Sequence, residues 1–203
     1  WARAKQEIST PHETRQTLVF GGLSGLWDTT LQDWLLRISK AHPQLAIGAD
    51  ILAAEAMISM VLDGTIDIAF LYDAPQGAGL ETKQLRPIKL KLVSSERVSE
   101  LPDNWEDHFI RVDWGMSFAV QFAAEFPNIK SSRMMTGLGR IAQDHLERAK
   151  GFAYLAEPAV KAAIKEERLF VVPDMPVFKR TAYAVYQQDG DKADFIRELI
   201  APL

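Results

Sequence analysis

Between Thr17 and Pro75 the sequence alternates short apolar runs with helix-spaced segments, and this alternation limits the possible folds more than any other feature. Leu18-Val19-Phe20 is an apolar run broken by Gly21-Gly22. Helical spacing follows, with Trp27, Leu31, Trp34, Leu35 and Ile38 on one face and Asp28, Gln32, Asp33, Arg37 and Lys40 on the other. His42-Pro43 stops that helix, and Leu45-Ala46-Ile47 reads as a second strand. Met57, Met60 and Val61 face inward from a second helix, which Asp63-Gly64 ends before the strand Ile66 to Leu71. A β-α-β-α-β order predicts parallel strands with right-handed crossovers, because a parallel neighbour is reached only through a long connection.

With 203 residues, 47% of them hydrophobic, the chain can bury a core as one domain or as two small ones. Its formal charge of -4 gives no general attraction to a phosphate backbone, so holding DNA or RNA needs another segment. The absence of cysteine removes thiol catalysis, disulfides and thiolate metal sites, and fits a reducing, cytoplasmic compartment. No apolar run approaches the ~20 residues needed to cross a bilayer. The opening residues WARAKQEIST lack the apolar centre of a signal peptide, and no membrane partner is expected. Residues 1–15, polar and without an apolar stripe, read as the end of a linker helix. Because the chain opens on Trp1, a segment upstream is expected.

The strand-turn-helix theme returns in the second half. Ile88 to Val93 alternates apolar residues with lysine, a strand with one wet face. Phe109 to Val112 reads as a strand and Asp113-Trp114-Gly115 as a turn. Phe118, Phe122 and Phe126 then stripe a helix stopped by Pro127. Ser132 to Thr136, Gly137-Leu138-Gly139 and a helix over 140–150 repeat the pattern, with Ile141, His145 or Leu146, and Ala149 expected inward. Pro158 opens a short helix, Leu169 to Val172 is a strand, and Thr181 to Tyr186 another. The last helix turns Phe195, Ile196, Leu199 and Ile200 to one side.

These turns carry the candidate chemistry. The loop Gly21-Gly22-Leu23-Ser24-Gly25 enters a helix whose free N–H groups can hold an anion; alternatively Ser24 caps that helix and the glycines only permit the turn. It lacks the Lys-Ser/Thr pair of a P-loop. Arg140, after Gly137-Leu138-Gly139, offers a fork of donors to a carboxylate, or a surface salt bridge. Trp114, Met116 and Ser117 line a third turn, unless Trp114 packs in the core. His12, His42, His108 and His145 show no metal-ligand spacing. The elbow spacing Gly-x-Ser-x-Gly is broken at Leu26, so neither catalysis nor a cofactor is expected.

Leu18-x-Phe20-Gly21, His42-Pro43-x-Leu45, and Leu62-Asp63-Gly64-Thr65-Ile66-Asp67-Ile68-Ala69-Phe70 together resemble the effector-binding domain of LysR-type transcriptional regulators. Leu80 to Val93 and Leu146 to Ala156 are similar to later signatures of that family, over about residues 16 to 203. Lys150, Ala156 and Ala53-Ala54 depart from its pattern. Leu26-Trp27, Trp34-Leu35 and Arg111 to Gly115 with Phe118 are most similar to a repressor branch within it.

The resemblance implies an α/β, two-lobed type 2 periplasmic-binding-protein-like fold: two Rossmann-like lobes joined by two crossing strands, with an effector in the cleft. Lobe one maps to 16–90 plus 186–203, lobe two to 95–178, and the hinge strands to 90–95 and 180–186. The implied effector contacts are Leu23, Ser24, Gly25, Trp27, Trp114, Met116, Ser117, Gly137, Leu138 and Arg140. Trp27, Leu31, Trp34 and Arg37 become a dimer surface, against the plain reading of the apolar members as core. The implied partners are a small-molecule effector such as an organic anion, a second copy in a homodimer or tetramer, RNA polymerase, and DNA through an N-terminal winged helix-turn-helix that this chain lacks. A periplasmic solute-binding protein and a small transferase of the same fold are the alternatives.

Overall fold

The computed structural model describes residues 16–75, 77–129 and 132–203; the expected linker end at 1–15 lies outside the described residues. In chain order the elements are β1 (Thr17–Gly22), α1, β2 (Ala46–Ile51), α2 (Ala54–Leu62), β3 (Ile68–Leu71), β4 (Leu80–Gln84) and β5 (Ile88–Ser94). There follow β6 (Phe109–Val112), α3 (Met116–Glu125), β7 (Met134–Thr136), α4 (Gly139–Leu146), β8 (Phe152–Ala156) and α5 (Glu157–Lys165). The chain closes with β9 (Phe170–Val171), β10 (Phe178–Arg180), β11 (Tyr183–Gln187) and α6 (Ala193–Ile200). Helix α1 is composite: a turn at Ser24–Leu26, a π-helical stretch at Trp27–Leu31, and regular helix at Gln32–Ala41.

The chain divides into two compact units, one running to Arg86 and resuming at Ala182–Leu203, the other Pro87–Thr181. Chain passages between them therefore fall at 86–87 and 181–182. Of the stretches expected as hinges, 90–95 overlaps β5, which is hydrogen-bonded inside the second unit, and 180–186 runs from the end of β10 into β11 of the first.

The first unit is a sheet of order β2-β1-β3-β11-β4. β1 pairs in parallel with β2 and β3, and β11 is antiparallel to β3 and β4. Both faces are covered, so the central strands are apolar throughout instead of alternating. Val19, Ala69, Leu71 and Val185 pack with Met57 and Val61 of α2 on one side. On the other, Phe20, Trp34 and Phe70 meet edge to face, with ring centroids 5.0 to 5.8 Å apart. Trp34 Nε1 donates to Leu199 O at 2.9 Å and ties α1 to α6. Asp67 accepts from Val19 N at 2.8 Å and from Lys192 Nζ at 2.9 Å, clamping the start of α6 to the sheet.

The second unit is a sheet of order β10-β5-β8-β6-β7, with β9 also on β5. β6 is parallel to β7 and β8, and β5 is antiparallel to β8, β9 and β10. The phenylalanine stripe of α3 builds its core: Phe122 stacks on Phe109 at 5.2 Å, and Phe118 meets Phe178 edge-on at 5.2 Å. Ile141 and Ala149, expected inward, are exposed, Ile141 to 44%; α4 turns the expected Leu146, and Ala142, to the sheet. Among the described residues no helix is long and apolar enough to cross a membrane.

Candidate functional site

In each unit, helices start where parallel strands end, the position at which open α/β sheets bind ligands. β1 leads into α1 and β2 into α2; β6 leads into α3 and β7 into α4. The residues at the cap positions are Leu23, Ala53, Gly115 and Leu138, and none of them makes a side-chain capping hydrogen bond. A Ser, Thr, Asp or Asn there would fill part of each helix's need for acceptors. Apolar caps leave that need to backbone, water or a bound anion, with the positive end of the helix dipole behind it.

In the first unit, Leu23, Ser24, Gly25 and Trp27 gather in the first turns of α1. Leu23 holds the capping position and Ser24 is the first residue of the helix. Trp27 stacks at 5.7 Å on Phe20, and its buried Nε1 has no acceptor among the described residues. Neither has the buried Oδ2 of Asp28 a donor. Asp28, expected on the outward face, was not among the expected contacts; an acid in the first turn, where the dipole favours negative charge, was its available signal.

In the second unit the two expected turns are brought together. Val112 and Thr136 are register partners, and Asp113 N donates across the strand ends to Thr136 O at 2.9 Å. Gly115 N donates to Asp113 Oδ1 and Leu138 N to Thr136 Oγ1, which fixes both turns. Met116, Ser117, Gly137 and Arg140 are exposed there, Met116 to 73%, and Leu138 is half-buried. Trp114 is not an exposed wall: it is 1% exposed, its Nε1 donates to Tyr154 O at 2.9 Å, and its ring lies against Gly139.

A residue the sequence expectation missed is Arg180. It is 4% exposed and donates from Nε to the carbonyl of Trp114, with its guanidinium against Gly115 at the start of α3. Strand alternation was the signal, since Arg180 shares a face with the buried Phe178.

The dimer expectation is corrected in part. Leu31 and Trp34 are 0% and 1% exposed and belong to the unit's own core, so they offer nothing to a partner. Along α1 the outward residues are Gln32, Asp33, Leu36 and Arg37, and Trp27 is half-buried. Among the described residues no cluster of His, Asp or Glu has metal-binding geometry. Strongly shifted titrations are structural. Burial pushes the Tyr154 hydroxyl above its usual range, with Glu125 nearby adding to the effect, and burial together with its bond to Glu81 pushes Tyr186 to about 12.

The family description "LysR substrate binding domain" matches residues 11–201. The HTH-type transcriptional regulator HdfR of Yersinia enterocolitica is 26% identical over 211 residues, which cover 98% of this chain and 70% of that protein. The apo regulatory domain of HypT from Salmonella typhimurium superposes with a TM-score of 0.76 at 18% identity, covering 95% of this chain and 99% of the other. Its bromide-bound form gives 0.74 at 19% identity, covering 96% and 100%. The two-unit α/β architecture is thus the periplasmic-binding-protein-like fold that the sequence implied, and the matched relatives are transcriptional regulators, not periplasmic solute-binding proteins. The chain belongs to the LysR substrate-binding domain family, as the effector-binding domain of a LysR-type transcriptional regulator.

Proposed function

We propose that the effector is a small anion, organic or inorganic, and that the N–H groups opening α3 and α4 in the second unit hold it. The cap positions Gly115 and Leu138 carry this reading, because neither supplies a side-chain acceptor to the helix start behind it. Met116, Ser117, Gly137, Leu138 and Arg140 are the contacts of the second unit; Ser24, Gly25 and Trp27, at the start of α1, are a separate candidate contact set in the first. Arg140 supplies a bidentate fork for a carboxylate, and Trp114 supports its turn from below. The bromide-bound neighbour is consistent with an anion in this fold.

Binding does not turn the ligand over. It biases one conformation over another by the difference in affinity, and through that difference controls transcription. The protein works in the cytoplasm as a homodimer or tetramer to which Leu36, Arg37 and the exposed side of Trp27 contribute. DNA is contacted by the part of the protein that corresponds to the remainder of HdfR, and RNA polymerase is the downstream partner. A thermal-shift series with halides, sulfate and small organic acids tests the reading. An anion at a hundredfold its dissociation constant adds about 2.7 kcal/mol of stability, and no shift with any anion at millimolar concentration refutes it.

A further inference from the structure

The second unit carries a lysine surface on β5, β10 and the first turns of α5. Lys89 of β5 and Lys179 of β10 are register partners in an antiparallel pair, both exposed on the same face of the sheet. Lys91, two residues along β5, points the same way and binds Glu157 at 2.6 Å. Glu157 opens α5, and Lys161 stands one turn further along that helix. The bond from Lys91 holds the Glu157 carboxyl below the usual range, and the charges of Lys91, Lys89 and Lys161 act in the same direction, so all three lie around this one carboxylate.

Like charges directly opposite on a sheet are destabilising. Among the described residues the one salt bridge here is Lys91–Glu157, so a single carboxylate stands among four lysines. A chain with formal charge -4 thus keeps, on one face, a local excess of positive charge that works against its own folding. Local rules broken without internal compensation mark functional surfaces.

We infer that Lys89, Lys91, Lys161 and Lys179 form a docking surface for an acidic segment of a partner protein. Charge favours a short acidic segment over a nucleic acid: the net negative chain repels a long polyanion, while a short acidic segment feels mainly the patch. The inference does not depend on the reading of the effector contacts.

The test is fluorescence anisotropy of a labelled Glu-rich peptide titrated with the whole chain at low and physiological salt, beside a labelled duplex DNA. The peptide is expected to bind saturably at low salt and to weaken as salt rises. Lys179→Glu weakens it by about tenfold, while Lys40→Glu, the same charge change on α1 of the first unit, leaves it within about twofold. Lys179→Glu also relieves the repulsion with Lys89, so its Tm equals or exceeds that of the parent, which separates lost docking from lost folding. No saturable peptide binding, equal weakening by Lys40→Glu, or tighter binding of the duplex than of the peptide each overturns the inference.

Discussion

Gly115→Ala is the sharpest probe of how the second unit holds its binding turn. Gly115 has φ 85° and ψ 173°, a backbone region essentially reserved for glycine. Holding alanine there costs about 1–3 kcal/mol by itself. A methyl at this position would also lie 2.5 Å from Nη2 of Arg180. An arginine tip yields cheaply when it is free, but this one is 4% exposed and bonded to the Trp114 carbonyl, so yielding breaks a charged hydrogen bond worth about 1.5–3 kcal/mol. The expected total is about 2.5–6 kcal/mol. Gly64 and Gly79 supply the control: their φ values are 74° and 82° and a methyl would meet nothing within 4 Å, so each Ala variant pays only the backbone term of about 1–2 kcal/mol. Urea denaturation reads the difference. With a slope of ~2 kcal/mol per molar, Gly115→Ala moves the midpoint by about 1.3–3 M and the controls by no more than about 1 M. Equal shifts for all three variants would refute the role given to Arg180.

Other outcomes follow from the same contacts. Trp34→Phe loses the bond to Leu199 O and leaves a gap against Phe20 and Phe70, costing about 2–3 kcal/mol by urea denaturation. Arg140→Ala and Ser24→Ala lower anion affinity by about 1–3 kcal/mol in calorimetric titration without changing the denaturation midpoint, since both are near the surface. The bonds from Arg197 and Tyr186 hold the Glu81 carboxyl below the ordinary range. Its folded pKa is depressed, so the stability it lends is full above the unfolded value of about 4.3 and fades as pH falls through the folded one. Glu81→Gln therefore flattens the acid limb of the stability profile, a small effect because the group is largely solvated.

The β-α-β-α-β block was legible because its signals are local and agree. Apolar runs mark β1 and β3, His42-Pro43 ends α1, and Gly64 takes the positive φ that closes α2. The register of Lys89 and Lys91 on the wet face of β5 followed from alternation alone. What escaped was set by tertiary contact. The π-stretch at Trp27–Leu31 has no local code. Leu31 and Trp34 fit a partner surface or a core equally well by spacing; the aromatic cluster under them decides for the core. Ser24 looked like a cap because serine favours that role, yet the chain enters α1 one residue earlier, at Leu23. Arg180 was passed over because arginine is rarely buried, and only the neighbouring turn of Trp114 and Gly115 explains it.

The central claim, that the uncapped helix starts hold an anion, is tested most directly by amide chemical shifts of the labelled chain during titration with sulfate or a small carboxylate at constant ionic strength. The account predicts saturable shifts, with one shared dissociation constant, in the backbone amides of Met116 and Ser117 and of Gly139 and Arg140 in the second unit, and saturable shifts of their own in those of Ser24 and Gly25 in the first. Shifts that never saturate, or that gather elsewhere while these amides stay still, would contradict it.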